Sequence, residues 1–320
     1  MTRRALLAYP FLPAFRAKLE AVCPVLGPFD PRVGSTLSPA EAAEIGVLVT
    51  LGSLTTDGAV MDRLPGLGLV CCYGSGYEGV DIAEARRRGI AVTHSPGANA
   101  AAVAEQAMAL LLACVRRTVE ADRIVRTTGW KRGPGGGLAP ARGLAGRKLG
   151  VFGLGAIGSY IAACAAPFGP EIAYHNRAPR ADVPYRYFPT LQALAEWADI
   201  LMVAARADAS NRHAVSRAVM RALGPEGIVV NISRGSILDE AALIDLLQKG
   251  ELGAAGLDVF EHEPNVPDAL KQLPQAVLTP HIGGSTVGAQ AAMQDMVVSN
   301  VAAFLRGQRP LTPVPEMAGT

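Results

Sequence analysis

Three apolar runs in the second half of the chain end in side chains able to grip an anion, hold a charge and move a proton. The first is Val229-Val230-Asn231-Ile232-Ser233-Arg234-Gly235. Its arginine can grip a carboxylate through two parallel hydrogen bonds; the plainer alternative is a surface pair with Asp239 or Glu240. The second is Gly256-Leu257-Asp258-Val259-Phe260-Glu261-His262-Glu263-Pro264, with three carboxylates crowding an apolar strand end. Such a cluster is either solvated or tunes a titrating partner. The third is Thr279-Pro280-His281-Ile282-Gly283-Gly284-Ser285-Thr286. A lone histidine is more often structural than catalytic, but one at a strand end near carboxylates is an acid–base candidate.

A fourth stretch points to a cofactor. Val151-Phe152-Gly153-Leu154-Gly155-Ala156-Ile157-Gly158 is a Gly-x-Gly-x-x-Gly run after a strand-like segment and before a helix-like one, the context that gives the pattern its dinucleotide meaning. Gly153 permits the tight turn, Gly155 lets backbone approach a pyrophosphate, and Gly158 lets helix and strand pack. The helix N-terminus then offers free N–H groups to phosphate. NAD-preferring folds carry an acidic residue roughly 20 positions on. Here the second strand runs into His175-Asn176-Arg177-Ala178-Pro179-Arg180. Two guanidiniums suit the 2′-phosphate of NADP(H); the bland alternative is a solvated basic loop.

The elements that must position these groups alternate. Strands are expected at Ala5–Tyr9, Gly46–Leu51, Leu67–Tyr73, Ile90–Thr93, Lys148–Phe152, Glu171–Tyr174, Ile200–Ala204, Ile228–Ile232, Ala254–Val259 and Ala276–Thr279. Helical patterns separate most of them, including long ones from Asn99 to Thr118 and from Thr286 to Leu305. This order predicts an α/β protein with parallel sheets covered on both faces. Two Rossmann-like or flavodoxin-like domains are expected, with a cleft between them as the ligand site. A dinucleotide-binding domain spans 99–287, and 1–98 plus 288–320 form a substrate-binding domain.

The whole chain sets bounds. It has 320 residues, half of them apolar, and a formal charge of +2. That is long enough for two cores and too weakly charged to imply nucleic acid or a membrane surface. The five cysteines are odd in number and lack metal spacing, so buried free thiols in a reducing compartment are expected. Arg3-Arg4 precedes a short apolar run that Pro10 and Pro13 break, so a first strand is expected rather than a signal peptide. No run reaches transmembrane length, and a soluble cytoplasmic protein is expected.

The ordered motifs resemble the D-isomer-specific 2-hydroxyacid dehydrogenase family. They run from Tyr73-Gly74-Ser75-Gly76-Tyr77 through Ser95-Pro96-Gly97-Ala98-Asn99 and Val103-Ala104-Glu105 to the four stretches above, about two-thirds of the chain. The resemblance implies that Arg234, Glu263 and His281 are catalytic. It implies that Ser75 and Gly76 bind substrate through backbone N–H groups, with Arg234 and His281. Asp258 would lie near the nicotinamide amide. Cofactor contacts are implied at Val103, Gly153, Leu154, Gly155, Ala156, Ile157, Gly158, His175, Asn176, Arg177, Arg180, Ile232, Asp258, His281 and Gly283. Asn176-Arg177 replaces the acidic residue of NAD-using members, which resembles the NADP-preferring glyoxylate/hydroxypyruvate reductase branch. NADP(H) is therefore the expected cofactor, with NAD(H) as the alternative, and no metal is expected.

The implied reaction is reduction of a small 2-keto acid to a D-2-hydroxy acid. His281 would deliver the proton, and Glu263 would favour its protonated form. A homodimer is implied by resemblance alone. Two alternatives remain on the same scaffold. One is a 3-phosphoglycerate, phosphonate or formate dehydrogenase, although the chain ends soon after its last helix and leaves no room for a regulatory domain. The other is a non-enzymatic, nucleotide-sensing corepressor.

Overall fold

The structure, a computed structural model, describes residues 3–29, 37–130 and 133–318. Its strands are β1 (Arg4–Leu7), β2 (Val25–Leu26), β3 (Ile45–Leu51), β4 (Leu69–Tyr73), β5 (Ala91–Thr93), β6 (Lys148–Phe152), β7 (Glu171–His175), β8 (Arg186–Tyr187), β9 (Ile200–Val203), β10 (Ile228–Asn231), β11 (Ala254–Leu257) and β12 (Ala276–Leu278). They form two sheets, of order β2-β1-β3-β4-β5 and β12-β11-β10-β9-β6-β7-β8. All strand pairings among the described residues are parallel. The chain divides into two compact units, Met1–Asn99 with Ser285–Thr320, and Ala100–Gly284.

The central strands are apolar runs because both of their faces are covered. In β9, Leu201 and Val203 join one core cluster while Ile200 and Met202 join another. That is the period-two alternation of a strand. The first cluster takes in the helices Leu191–Trp197, Arg217–Ala222 and Glu240–Gln248. The second takes in Ala100–Arg116 and Ala156–Ala165. In the other unit, Val47 and Val49 face Val297 and Val301 of the helix Val287–Leu305, while Leu48 turns to the opposite core. Each such fully buried side chain stabilises by about 1.5–3 kcal/mol.

The larger sheet places the site. β6 sits between β9 and β7, so the strand order reverses there, and ligands of such sheets bind beyond the carboxyl ends of strands at that switch. β10, β11 and β12 follow outward from β9, each ending on the same side.

Some local expectations are corrected. β2 and β8 are added to the expected strands; at two residues each they show no period. The helix from Ala100 stops at Arg116; Arg117 turns left-handed at φ 51°, and a separate helix, Thr118–Thr127, follows with no buried residue. Four thiols are buried, but Cys164 is exposed, on the outer face of its helix.

Candidate active site

His281 stands just past β12 in a loop that Asp258 organises. Asp258 follows β11 and is 1% exposed. Its Oδ1 accepts from Thr279 Oγ1 at 2.6 Å and from Ile282 N–H at 2.9 Å, and its Oδ2 from Gly283 N–H at 2.8 Å. Its backbone carbonyl accepts the His281 N–H at 2.8 Å. These bonds hold His281 at φ 52°, a region that side chains other than glycine seldom occupy. A side chain at position 283 would come within 3.0 Å of Asp258 Oδ2 and 3.5 Å of Val103, so Val103, Asp258 and Gly283 form one knot. Gln106 extends it, donating to Thr279 Oγ1 at 3.0 Å.

The imidazole of His281 meets Glu263: Nδ1 lies 2.8 Å from Oε2, with the side chains 41% and 35% exposed. A carboxylate only accepts, so this network assigns the hydrogen to Nδ1. Nε2 is the ring's remaining nitrogen. The other Glu263 oxygen accepts the Phe260 N–H at 3.0 Å. Burial pushes the Glu263 carboxyl upward, but the hydrogen bond and charge of His281, the Phe260 N–H and the Arg234 charge together hold it below its ordinary value. Glu263 is thus favoured as an anion by its hydrogen bonds and by the Arg234 charge.

Arg234 follows β10 with extended backbone at φ −142°. The buried Asn231 shapes its turn: Nδ2 donates to Arg234 O at 2.9 Å, and Oδ1 accepts Ser233 N–H at 3.0 Å. Arg234 Nη1 donates to Ser233 O at 2.7 Å. Asp239 caps the helix Glu240–Gln248, and Glu240 accepts the Glu261 N–H. Ile232 is 6% exposed in the same turn. Arg234, Glu263 and His281 therefore stand on three neighbouring strand ends.

The glycine loop closes on the sheet. A side chain at Gly153 (φ 95°) would overlap Ala205 at 2.4 Å, whereas nothing lies within 4 Å of one at Gly155. The helix Ala156–Ala165 begins at Gly155 with no side-chain cap, leaving its first N–H groups to an outside acceptor. Asn176 Oδ1 accepts the Leu154 N–H at 2.7 Å. Arg180 donates to Leu154 O at 2.8 Å and Ser159 Oγ at 3.0 Å, and pairs with Asp182. Arg177 is 87% exposed, with Asp208 at 3.8 Å. Of the two expected clamps, Arg180 braces the loop and Arg177 is the exposed cation. His175 is anchored through Nδ1 to Phe188 O at 2.9 Å and stacks against Phe152 and Tyr187. Ala156 is exposed and Ile157 half-buried at the helix start.

In the other unit, the Ser75 hydroxyl donates to Ser95 O at 3.1 Å and pairs with Asn99 Oδ1 at 2.9 Å, while His94 Nδ1 meets Ser75 O at 2.9 Å. The Ser75 hydroxyl thus has internal partners. Sequence reasoning missed Asn231, Thr279 and Gln106, whose only signal is proximity after folding. Among the described residues, no group of three or more His, Cys, Asp or Glu could hold a metal ion. No helix there is long and apolar enough to cross a membrane.

The family description "D-isomer specific 2-hydroxyacid dehydrogenase, NAD binding domain" matches residues 108–283. Glyoxylate/hydroxypyruvate reductase A of Arabidopsis thaliana is 40% identical over 280 residues, covering 88% of each chain. 2-Ketogluconate reductase of Gluconobacter oxydans is 35% identical over 306 residues, 95% of this chain and 96% of the relative. The crystal structure of an NADPH-dependent glyoxylate/hydroxypyruvate reductase from Sinorhizobium meliloti, in complex with NADP and malonate, superposes with a TM-score of 0.91 at 37% identity, covering 99% of this chain and 98% of the other. The chain belongs to the D-isomer specific 2-hydroxyacid dehydrogenases and is an NAD(P)-dependent oxidoreductase.

Proposed function

We propose that this protein reduces glyoxylate, hydroxypyruvate or a similarly small 2-keto acid to the D-2-hydroxy acid, with NADPH preferred and His281 as proton donor. The observation that carries this reading is the 2.8 Å Glu263–His281 pair, with the Arg234 charge acting on the same carboxylate. Names of relatives support the substrate class, and the NADP bound to the Sinorhizobium enzyme supports the cofactor. In this reading Ala100–Gly284 holds the dinucleotide and the other unit contributes the substrate side.

The residues present fit such a cofactor. The uncapped helix start at Gly155 suits a pyrophosphate, and the exposed Arg177 suits a 2′-phosphate. Bound there, the nicotinamide would supply the hydride. Arg234 would grip the substrate's carboxylate and carbonyl, and the Ser75–Gly76 backbone would donate to the carboxylate. His281 would pass a proton from Nε2 to the carbonyl oxygen, while Glu263 keeps Nδ1–H aimed and balances the imidazolium charge. Both cations face the oxygen where negative charge grows, so their benefit is greatest in the transition state.

A homodimer and a cytoplasmic location complete the proposal. Val119 and Val125 are 54% and 59% exposed on a helix with no buried residue, apolar surface that a second copy would cover. The four buried free thiols suit a reducing compartment. Steady-state kinetics on glyoxylate, hydroxypyruvate, pyruvate and an aromatic keto acid, each with NADPH and NADH, test the central reading. The highest kcat/KM is expected for glyoxylate or hydroxypyruvate with NADPH. No turnover of any pair would overturn it.

A further inference from the structure

Glu263 reaches His281 from a short turn, and that turn is fastened by residues outside the Arg234–Glu263–His281 set. The fastening centres on Glu261, whose side chain is 13% exposed. Its Oε1 meets His213 Nε2 at 2.8 Å and also accepts from Arg212 Nη2. Its backbone N–H donates to Oε2 of the buried Glu240 at 3.3 Å. Just before it, the Phe260–Glu261 peptide lies against Gly235, where an added side chain would come within 1.9 Å of Phe260 C and 2.3 Å of Glu261 N.

These contacts join three segments. The His213 N–H donates to Ser236 O at 2.8 Å, and the Val215 N–H to Ile237 O at 2.9 Å. The segment that grips Glu261 is therefore laced to the residues that directly follow Arg234. Phe260, whose N–H fixes one oxygen of Glu263 at 3.0 Å, is the residue before Glu261. A displacement of Glu261 would move the donor that aims Glu263. An ordinary exposed ion pair would contribute little, but this one joins the turn carrying the carboxylate to the turn carrying the arginine.

We propose that Glu261, gripped by Arg212 and His213, is the positioning residue of this turn: it sets the reach of Glu263 towards His281 and fixes both relative to Arg234. It rests on the reading of Glu263 and His281 as the acid–base pair. Glu261 need not touch substrate or cofactor to act in this way.

The test pairs a spectroscopic readout with kinetics. In the 15N-labelled protein without ligand, Glu261→Ala should move the ring-nitrogen shifts of His281 in the direction that Glu263→Gln moves them. Glu261→Gln, which keeps the size and one acceptor, should move them less. With keto acid and NADPH, Glu261→Ala should lower kcat by about 10- to 100-fold, the scale of a misplaced catalytic group, with KM nearly unchanged. In a Glu263→Gln background the same substitution should cost under about threefold, because effects that run through one residue do not add. Unmoved His281 shifts, or losses that add in full, would overturn the proposal. Should Glu263→Gln leave kcat intact, the acid–base reading fails, and the His281 shifts alone decide the positioning claim. If Glu261→Ala does not fold, Arg212→Ala combined with His213→Ala breaks the same contact from its other side.

Discussion

The two halves of the larger sheet hold their chemical groups in opposite ways. Past β12, His281 is fixed at its backbone by Asp258 and Thr279 and at its ring by Glu263. Past β7, Arg177 extends into solvent with a single carboxylate 3.8 Å away. The difference follows from what each group is proposed to do. A proton donor must lie within a few tenths of an ångström of its acceptor, so it needs preorganisation. A cation that discriminates between two cofactors acts through charge over several ångströms and tolerates motion. Rigidity is concentrated where distance is critical, and even near Arg177 it is Arg180, bonded to Leu154, Ser159 and Asp182, that supplies it.

The largest test of this contrast is His281→Ala. It should lower kcat by about 100- to 10,000-fold, the range for losing a general acid, while NADPH binding measured by fluorescence stays nearly intact. Unchanged turnover would remove the rigid end of the comparison. Next, Arg177→Asp should shift the NADPH-to-NADH ratio of kcat/KM towards NADH by about 10- to 100-fold, the range for losing a hydrogen bond to a charged group. Arg180→Ala should instead weaken use of both cofactors together. An unmoved ratio in Arg177→Asp would show that the exposed cation does not discriminate.

A smaller effect is expected on stability. Asp258→Ala leaves the buried Gly283 N–H and the partly buried donors of Thr279 and Ile282 without their acceptor. Each unsatisfied group costs about 1–3 kcal/mol, so thermal melting should fall by several degrees. A melting curve like the parent's would mean the His281 loop does not depend on this anchor. Smallest is the acid limb of stability. The Glu263 carboxyl titrates below its ordinary value of 4.5 in the folded protein, so over that window the unfolded chain binds more protons. Its stabilisation is present above the unfolded value and is lost as pH falls through the folded one. Glu263→Gln should therefore flatten the acid side of a melting-temperature profile slightly. A steeper acid limb in the variant would contradict the shift.

Much of the fold was legible because parallel strands covered on both faces must be apolar runs. Ile200-Leu201-Met202-Val203 and Ile228-Val229-Val230 declare themselves by composition. Val25–Leu26 and Arg186–Tyr187 do not, since two residues at an edge carry no pattern. Arg117 gives no warning of its left-handed turn; neither glycine nor asparagine marks the break. The candidate site was legible as a set of motifs, but its supports were not. Asp258 reads as a ligand contact in sequence, and that both its oxygens are also bonded within the loop of His281 is visible only after folding. Glu261 and His213 lie 48 positions apart, and no local period links them.

What the amino-acid order determined alone is the alternation of strands and helices, the glycine turn, and which side chains end which strands. Those follow from local sterics and apolar burial, which act over a few residues. Only the tertiary structure decided that Arg180 braces while Arg177 is left exposed, that Asp258 binds a loop, and that Glu261 ties one strand end to another. Such assignments depend on hydrogen bonds and charges between distant segments, and their partners become neighbours only after the sheet has been assembled.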